Sequence, residues 1–152
     1  MAEQLFQITN AVALGAWIAL VALPGRRVVS AWLCATWVPG GLAAAYAAVI
    51  AWRLAVAPPA GELGTIAGLR AAFADDWVFA AAWIHYLAFD MVVGAWIARD
   101  AVRLGLPWPL RTLALVFTFL LGPVGLLLHL VTRRILRGGS AGDEEAGQRP
   151  RP

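Results

Sequence analysis

Three side chains that could carry out chemistry, His85, Tyr86 and Asp90, lie in the apolar stretch AAWIHYLAFDMVVGAWIARD, residues 81–100. An imidazole and a carboxylate can exchange protons with a substrate, and a phenol can assist them by hydrogen bonding. Ionisable groups are costly inside a bilayer, so they usually face the helix bundle and serve a function. The stretch therefore predicts a proton-transfer or ligand-binding site. The alternative is that these polar groups only hydrogen-bond between helices and fix their packing.

The helical spacing of these residues separates the two titratable groups. His85 and Asp90 are five residues apart, which turns them about 140° from each other around a helix axis. Tyr86 and Asp90 are four residues apart and share a face. We expect His85 and Asp90 to contribute to one pocket from two directions, with Tyr86 beside Asp90.

The composition indicates a protein that lies in a membrane. Of the 152 residues, 61% are hydrophobic and only 14% are charged, and the mean hydropathy is +0.73. Soluble proteins average about a quarter charged residues. The net charge of +3 comes from arginines that lie mainly at the ends of the apolar runs, where bilayer anchoring explains them, so no nucleic-acid partner is expected.

Successive apolar runs, each about 20 residues long, are sufficient to cross a bilayer. They predict an all-α polytopic membrane protein with one domain, residues 1–137, in which four transmembrane helices form two antiparallel hairpins. The predicted helices span residues 4–23, 28–52, 77–99 and 110–132. Pro24-Gly25 and Leu106-Pro107-Trp108-Pro109 supply short connections within the two hairpins.

The segments between and after the hairpins are less apolar. Residues 62–73 predict a short interfacial helix, Asp76 is a predicted N-cap of the third long helix, and residues 138–152 predict a disordered tail. Arginines flank both predicted membrane sides in equal number, so the positive-inside rule favours neither orientation.

Two of the predicted helices are interrupted near their middle, by Val38-Pro39-Gly40-Gly41 and by Gly122-Pro123-Val124-Gly125. Proline frees a backbone carbonyl, and glycine allows helices to approach closely. Matched interruptions in the two halves of a membrane protein point to a binding site at the midplane. Pro39 and Pro123 are therefore candidate pocket residues, and two ordinary helix kinks are the alternative.

Three further side chains could line such a pocket. Asn10 lies at roughly the depth of His85, where it either joins helices or contacts a ligand, and Trp83 needs a hydrogen-bond partner or a polar cavity. Folding the second hairpin about residue 105 places His129 opposite Ala81. This offset from His85 argues against a shared haem iron. No cluster of His, Cys, Asp and Glu has metal-ligand spacing, so neither a metal nor a cofactor is expected.

The sequence resembles the abscisic acid-deficient 4-like family over about residues 4–135. The resemblance rests on short motifs in three of the predicted helices. These are Ala82-Trp83-Ile84-His85 with Leu87, Asp90, Gly94 and Arg99-Asp100; FLLGPVGL at 119–126 with His129; and Asn10, Trp17 and Pro24. The resemblance implies a four-helix integral membrane protein, and it adds Gly94 to the candidate pocket.

The plant plastid member of that family is required for making neoxanthin from violaxanthin, which opens an epoxide and removes a proton. The resemblance therefore implies an isomerase of a carotenoid or other isoprenoid lipid, with His85 and Asp90 as acid and base and Tyr86 assisting. The alternatives are a non-catalytic protein that binds a lipid or pigment or supports a partner complex, and a small transporter that would need to dimerise.

The sequence also predicts in which membrane the protein lies and which partners it has. An arginine-only, alanine-rich chain without a transit peptide predicts a multi-pass protein of a bacterial plasma membrane. Its expected partners are the lipid bilayer and a carotenoid or isoprenoid ligand, and a homo-oligomer is one option.

Overall fold

The computed structural model describes residues 1–57 and 64–137. These residues form helices and turns and contain no strand. The helices are α1 (Ala2–Ala22), α2 (Val28–Val56), α3 (Ile66–Phe73), α4 (Asp76–Arg103), α5 (Trp108–Leu121) and α6 (Pro123–Arg137). In the described part of the chain, α1, α2 and α4 are long and apolar enough to cross a membrane, whereas α5 is shorter. The predicted all-helical character is confirmed, and the predicted tail lies outside the described residues.

The central helix is α4, against which every other helix packs. Small residues on its surface let the neighbouring helices approach closely, as is common between membrane helices. The closest approach is at Gly94, where an added Cβ would lie 2.2 Å from Cη2 of Trp17 in α1. Trp17 is only 3% exposed, so the absence of a side chain at Gly94 allows an indole ring to pack directly on the α4 backbone.

The first third of α2, Val28–Trp37, is π-helical, and the remainder, Val38–Val56, is α-helical. In the wider turns each N–H bonds five residues back, as the N–H of Val38 does to the carbonyl of Leu33. The change falls next to Pro39, which has no N–H to donate. The predicted interruption at Pro39 therefore changes the type of helix and leaves the span unbroken.

On the membrane side that holds Met1 and Ala57, the ends of α2 and α4 are tied together. The Asp75 carboxylate accepts hydrogen bonds from the N–H groups of Trp77 and Val78, at 3.0 and 3.2 Å, and it forms an ion pair with Arg53. Asp75 is thus the N-cap of α4, one residue before the predicted cap. This arrangement fixes the start of the helix that carries the candidate site.

The chain reverses direction after α5 instead of continuing across the membrane. Gly122 has φ 48° and ψ −98°, a backbone conformation that favours glycine, and Pro123 then begins α6. An added Cβ on Gly125 would lie 2.1 Å from the backbone nitrogen of Thr118. Because α6 packs back along α5 in this way, the two helices form a re-entrant hairpin, and the predicted single helix over 110–132 is wrong.

Length and residue pattern explain this hairpin. The 14 residues of α5 extend about 21 Å at ~1.5 Å per residue, which is less than the roughly 30 Å of hydrocarbon. In α6 the buried residues recur at every fourth position: Gly125, His129 and Arg133. Such a stripe indicates a helix with one face against its neighbours, and folding back onto α5 and α4 buries it.

The hairpin changes which arginines share a membrane side. We name the side with residues 23–27 and 104–107 the loop side, and the side with Met1 and Ala57 the N-terminal side. Because α6 returns to the loop side, eight arginines of the described residues lie there: Arg26, Arg27, Arg99, Arg103, Arg111, Arg133, Arg134 and Arg137. Within the same described ranges, two lie on the N-terminal side, Arg53 and Arg70. The positive-inside rule now predicts that the loop side faces the cytoplasm.

Candidate functional site

The candidate site is centred on Asp90, which lies midway along α4, about 20 Å from either end at ~1.5 Å per residue. Its Oδ2 atom is buried and has no hydrogen-bond partner among the described residues. The Tyr86 side chain, one turn earlier on the same face, interacts with the carboxyl group. A buried polar atom without a partner costs free energy, so its presence favours a role in binding or chemistry.

The turn of the re-entrant hairpin lies directly against this carboxyl group. An added Cβ on Gly122 would be 3.0 Å from Oδ1 and 3.1 Å from Oδ2 of Asp90. Pro123 follows immediately and starts α6, whose N-terminal end carries a partial positive charge. The structure thus brings Tyr86, Asp90 and the Gly122-Pro123 turn together, and we name these four residues the Asp90 site.

Helix α1 is attached to the same face of α4 on both sides of Asp90. Toward the N-terminal side, Nε1 of Trp83 donates to Oδ1 of Asn10 at 3.0 Å. Toward the loop side, Trp17 packs on Gly94. Asn10 and Trp83 therefore join the two helices, with the Asn10 oxygen accepting the indole N–H, which is the interhelical role that sequence alone left open for Asn10.

His85 lies on a different face of α4. Its side chain is exposed, and its ring packs against Phe89 and against Tyr46 of α2, with centroid separations of 4.6 and 5.6 Å. Asp90 instead faces the hairpin turn. The expectation that His85 and Asp90 contribute to one pocket is therefore corrected, because the rotation of about 140° between them carries His85 away from the hairpin.

A second polar group, the Asp100 cluster, lies near the loop-side end of α4. It consists of Asp100, Arg103, His129 and Arg133. Oδ2 of Asp100 is 2.9 Å from Nε2 of His129 and 3.6 Å from Nη1 of Arg133, and Oδ1 is 2.7 Å from Nη2 of Arg103. Asp100, His129 and Arg133 are 4%, 1% and 5% exposed, so this is a buried ion-pair network.

The position of His129 corrects two predictions at once. The residue does not lie opposite Ala81, because the chain reverses at Gly122 and returns to the level of Asp100. It also packs edge-on against Trp96, with ring centroids 5.2 Å apart, rather than lining the pocket at Asp90. Across the described residues no group of three or more His, Cys, Asp or Glu side chains could hold a metal ion.

Sequence reasoning missed the partnership between Asp100, His129 and Arg133, although a signal for it exists. A glycine just past the end of one helix and a proline at the start of the next mark a helix boundary, and Gly122-Pro123 is such a pair. Pro39 lacks this pairing and is buried inside the continuous α2. The two interruptions are therefore not matched, since only the second one turns the chain.

The fold and the site together define an integral membrane protein in which a re-entrant helical hairpin reaches a carboxyl group at mid-depth. The ABA DEFICIENT 4-like family matches residues 4–129, and the chain belongs to that family. No curated protein and no solved structure matches the chain significantly.

Proposed function

We propose that this ABA DEFICIENT 4-like protein is a membrane enzyme that isomerises a carotenoid or another isoprenoid lipid, with Asp90 transferring the proton. The observation that carries the proposal is the buried Oδ2 of Asp90, which has no hydrogen-bond partner in the described part of the chain. An ionisable group at this depth is costly, and a substrate that uses it accounts for the cost.

Tyr86 supplies the second proton-transferring group that such an isomerisation needs. When an epoxide opens, its C–O bond breaks, the oxygen gains a proton and a neighbouring carbon loses one, so the reaction needs an acid and a base. The Asp90 carboxylate takes the proton from carbon, and the Tyr86 hydroxyl gives one to oxygen. Because the two side chains interact, the proton then passes from Asp90 to Tyr86, and both groups return to their starting states.

The surroundings of the site suit a substrate that arrives from the bilayer. Tyr86 and Asp90 are only partly buried, and the adjacent hairpin tip exposes Leu120 and Leu121, at 60% and 52%. A long apolar molecule can lie against such leucines among the lipid tails and reach mid-depth without an aqueous path. As part of the proposal, we place the protein in a bacterial plasma membrane, where one copy of the chain with the bilayer supplies the whole Asp90 site.

The separation of His85 from Asp90 favours a second candidate function, a protein that binds a lipid or pigment without converting it. In that case Asp90 and Tyr86 hydrogen-bond a polar group of the ligand, and the exposed His85, which packs on Phe89, is only a contact with lipid. The binding function needs no acid and base.

The test expresses the wild-type chain, Asp90→Asn and Tyr86→Phe in a strain that makes epoxy-carotenoids, and it follows pigments by chromatography. General acid–base groups contribute about 10²–10⁴-fold to a rate, so Asp90→Asn should lower product formation at least about 100-fold at equal protein level. Tyr86→Phe should lower it less. His85→Gln is the matched control, because it changes a polar side chain on another face of the same helix.

Equal pigment profiles for the wild-type chain and Asp90→Asn would overturn the isomerase. If the wild-type chain co-purifies with an unconverted pigment that the Asp90→Asn variant does not retain, the protein binds this pigment without isomerising it.

A further inference from the structure

An apolar groove lies on the membrane-facing surface between α1 and α5. Five residues of α1, from Leu14 to Ala22, and two of α5, Val116 and Phe119, line it. Its volume is about 340 Å³, within the roughly 300–1,000 Å³ that is typical of small-molecule sites. Every lining residue in the described part of the chain is apolar, so the groove suits a hydrocarbon chain. We name it the α1–α5 groove.

One end of the α1–α5 groove lies at the depth of Asp90. Helix α1 contacts α4 at Asn10 and again at Trp17. Leu14, the first groove residue, lies between these two contacts on α1, and Asp90 lies between their partners on α4. From Leu14 the groove continues toward the loop side as far as Ala22, the last residue of α1. It therefore extends about 12 Å at ~1.5 Å per residue.

The floor of the groove is formed by two aromatic rings that lie next to the Asp90 site. Trp17 packs on Gly94, which follows Asp90 by four residues, about one helical turn. Phe119 precedes Gly122 by three residues, and Gly122 adjoins the carboxyl group of Asp90. The rings of Trp17 and Phe119 pack on each other, with centroids 5.6 Å apart. Both walls of the groove thus come within about one helical turn of Asp90.

The side chains of the groove are conformationally restricted. Ile18, Val21 and Val116 are β-branched and therefore stiff at χ1. Trp17 is held in place because it is only 3% exposed and packs on Phe119. A preformed groove binds a stiff ligand with a smaller loss of entropy than a flexible one. A conjugated chain is stiff, whereas the saturated acyl chain of a membrane lipid is flexible, so the groove favours the conjugated chain.

We propose that the α1–α5 groove binds the stiff, conjugated chain of an isoprenoid lipid whose polar end lies at Asp90. The inference rests on the proposed function for the role of Asp90, and it adds where the rest of the substrate is held. The ligand lies along α1, with its polar end at mid-depth and its chain directed toward the loop side.

The test measures how the full-length chain, purified in an uncharged detergent, binds all-trans-retinol, a conjugated isoprenoid alcohol. Energy transfer from tryptophan to retinol reports the bound fraction, and the midpoint of the titration gives the affinity. The wild-type chain should bind retinol saturably. Val116→Trp and Ile18→Trp should each weaken binding about tenfold or more, because the added indole occupies the space that the chain needs.

Val12→Trp is the matched control, because it places the same ring on the surface of α1 without entering the groove. Val12 is 48% exposed and Val116 is 37% exposed, but Val12 does not line the groove. The retinol affinity of Val12→Trp should equal that of the wild-type chain. Ile18 is also exposed, at 62%, so the groove variants should fold normally, and circular dichroism of each variant establishes this.

Octadecanol, an unbranched saturated alcohol, distinguishes a conjugated chain from an ordinary acyl chain as the occupant. It should displace retinol only at a concentration about tenfold or more above that at which retinol binds, since a flexible chain loses more entropy in the groove.

Three results would overturn the proposal: no saturable binding of retinol, octadecanol that competes as strongly as retinol binds, or folded Val116→Trp and Ile18→Trp that bind retinol like Val12→Trp.

Pigment conversion in the expressing strain separates the failure of this proposal from the failure of the isomerase. If Asp90→Asn loses the product while Val116→Trp binds retinol and forms product like Val12→Trp, the groove is overturned and the isomerase stands. If Val116→Trp weakens retinol binding while Asp90→Asn and the wild-type chain give equal pigment profiles, the groove stands and the isomerase is overturned.

Discussion

Helix α4 carries two aspartates ten residues apart that lie in opposite electrostatic surroundings. Asp100 has His129 at 2.9 Å, Arg103 at 2.7 Å and Arg133 at 3.6 Å, so each of its oxygens has a cationic or imidazole neighbour. Asp90 has the Tyr86 side chain and a glycine turn beside it, and its Oδ2 has no hydrogen-bond partner among the described residues. Both oxygens of Asp100 are thus paired within the protein, whereas Oδ2 of Asp90 is not.

The difference indicates that the two aspartates of α4 have separate roles, Asp100 in stability and Asp90 in function. A buried ion pair is strongly destabilised when one partner is removed, so Asp100 holds the returning helix α6 against α4. A buried carboxyl oxygen without a partner costs free energy and stabilises no helix contact, so Asp90 remains available to a substrate. The re-entrant hairpin creates both environments, because its turn meets Asp90 and its returning arm meets Asp100.

The largest expected effect concerns the hairpin itself, on which the comparison depends. With three spanning helices and a hairpin that returns to the loop side, Met1 and Arg137 lie on opposite sides of the membrane. Reporter fusions at either end, one active only in the cytoplasm and one only outside it, should place the C-terminus inside and the N-terminus outside. Both ends on one side would mean that residues 108–137 cross the membrane.

The next largest effect is on stability when the partnered carboxylate is neutralised. Asp100→Asn leaves Arg133 and Arg103 beside an amide in place of a carboxylate, and it should lower the free energy of unfolding by about 3 kcal/mol. Unfolding in increasing sodium dodecyl sulfate, followed by circular dichroism, measures the change. A loss below about 0.5 kcal/mol would contradict a stabilising role for the cluster.

A third prediction concerns the close packing of α6 on α5. Gly125→Ala puts a Cβ 2.1 Å from a backbone nitrogen of α5, and overpacking of this kind costs about 1–3 kcal/mol. Gly40→Ala is the control, because no atom lies within 4 Å of the added Cβ, and it should be neutral or slightly stabilising. If both variants unfold at the same detergent concentration, α5 and α6 do not pack as described.

The smallest expected effect is at the other aspartate. Asp90→Asn removes a carboxylate that makes no ion pair in the described structure, and it should change the free energy of unfolding by less than about 1 kcal/mol. The same detergent titration compares it directly with Asp100→Asn. A loss as large as that of Asp100→Asn would assign Asp90 to packing and would weaken the case for the isomerase.

Prediction from sequence succeeded for features that depend on local pattern. The runs of apolar residues fix α1, α2 and α4, because a bilayer requires long helices whose backbone bonds are satisfied internally. The spacing of Tyr86 and Asp90 fixes their common face, and the predicted family is confirmed by a match over residues 4–129. Prediction failed for His85 and His129, because each position depends on what packs beside α4 and not on α4 alone.

The sequence by itself determined that this is a helical membrane protein with a carboxylate and a phenol on one face at mid-depth, since apolar content and helical periodicity are local properties. Only the tertiary structure decided that the chain turns back at Gly122, and this reversal separates His85 from the site, pairs His129 with Asp100 and gathers the arginines on one side. The physical reason is that a Gly-Pro pair permits a reversal without requiring it. The buried stripe of α6 requires it, because Gly125, His129 and Arg133 find their partners only by folding back onto α5 and α4.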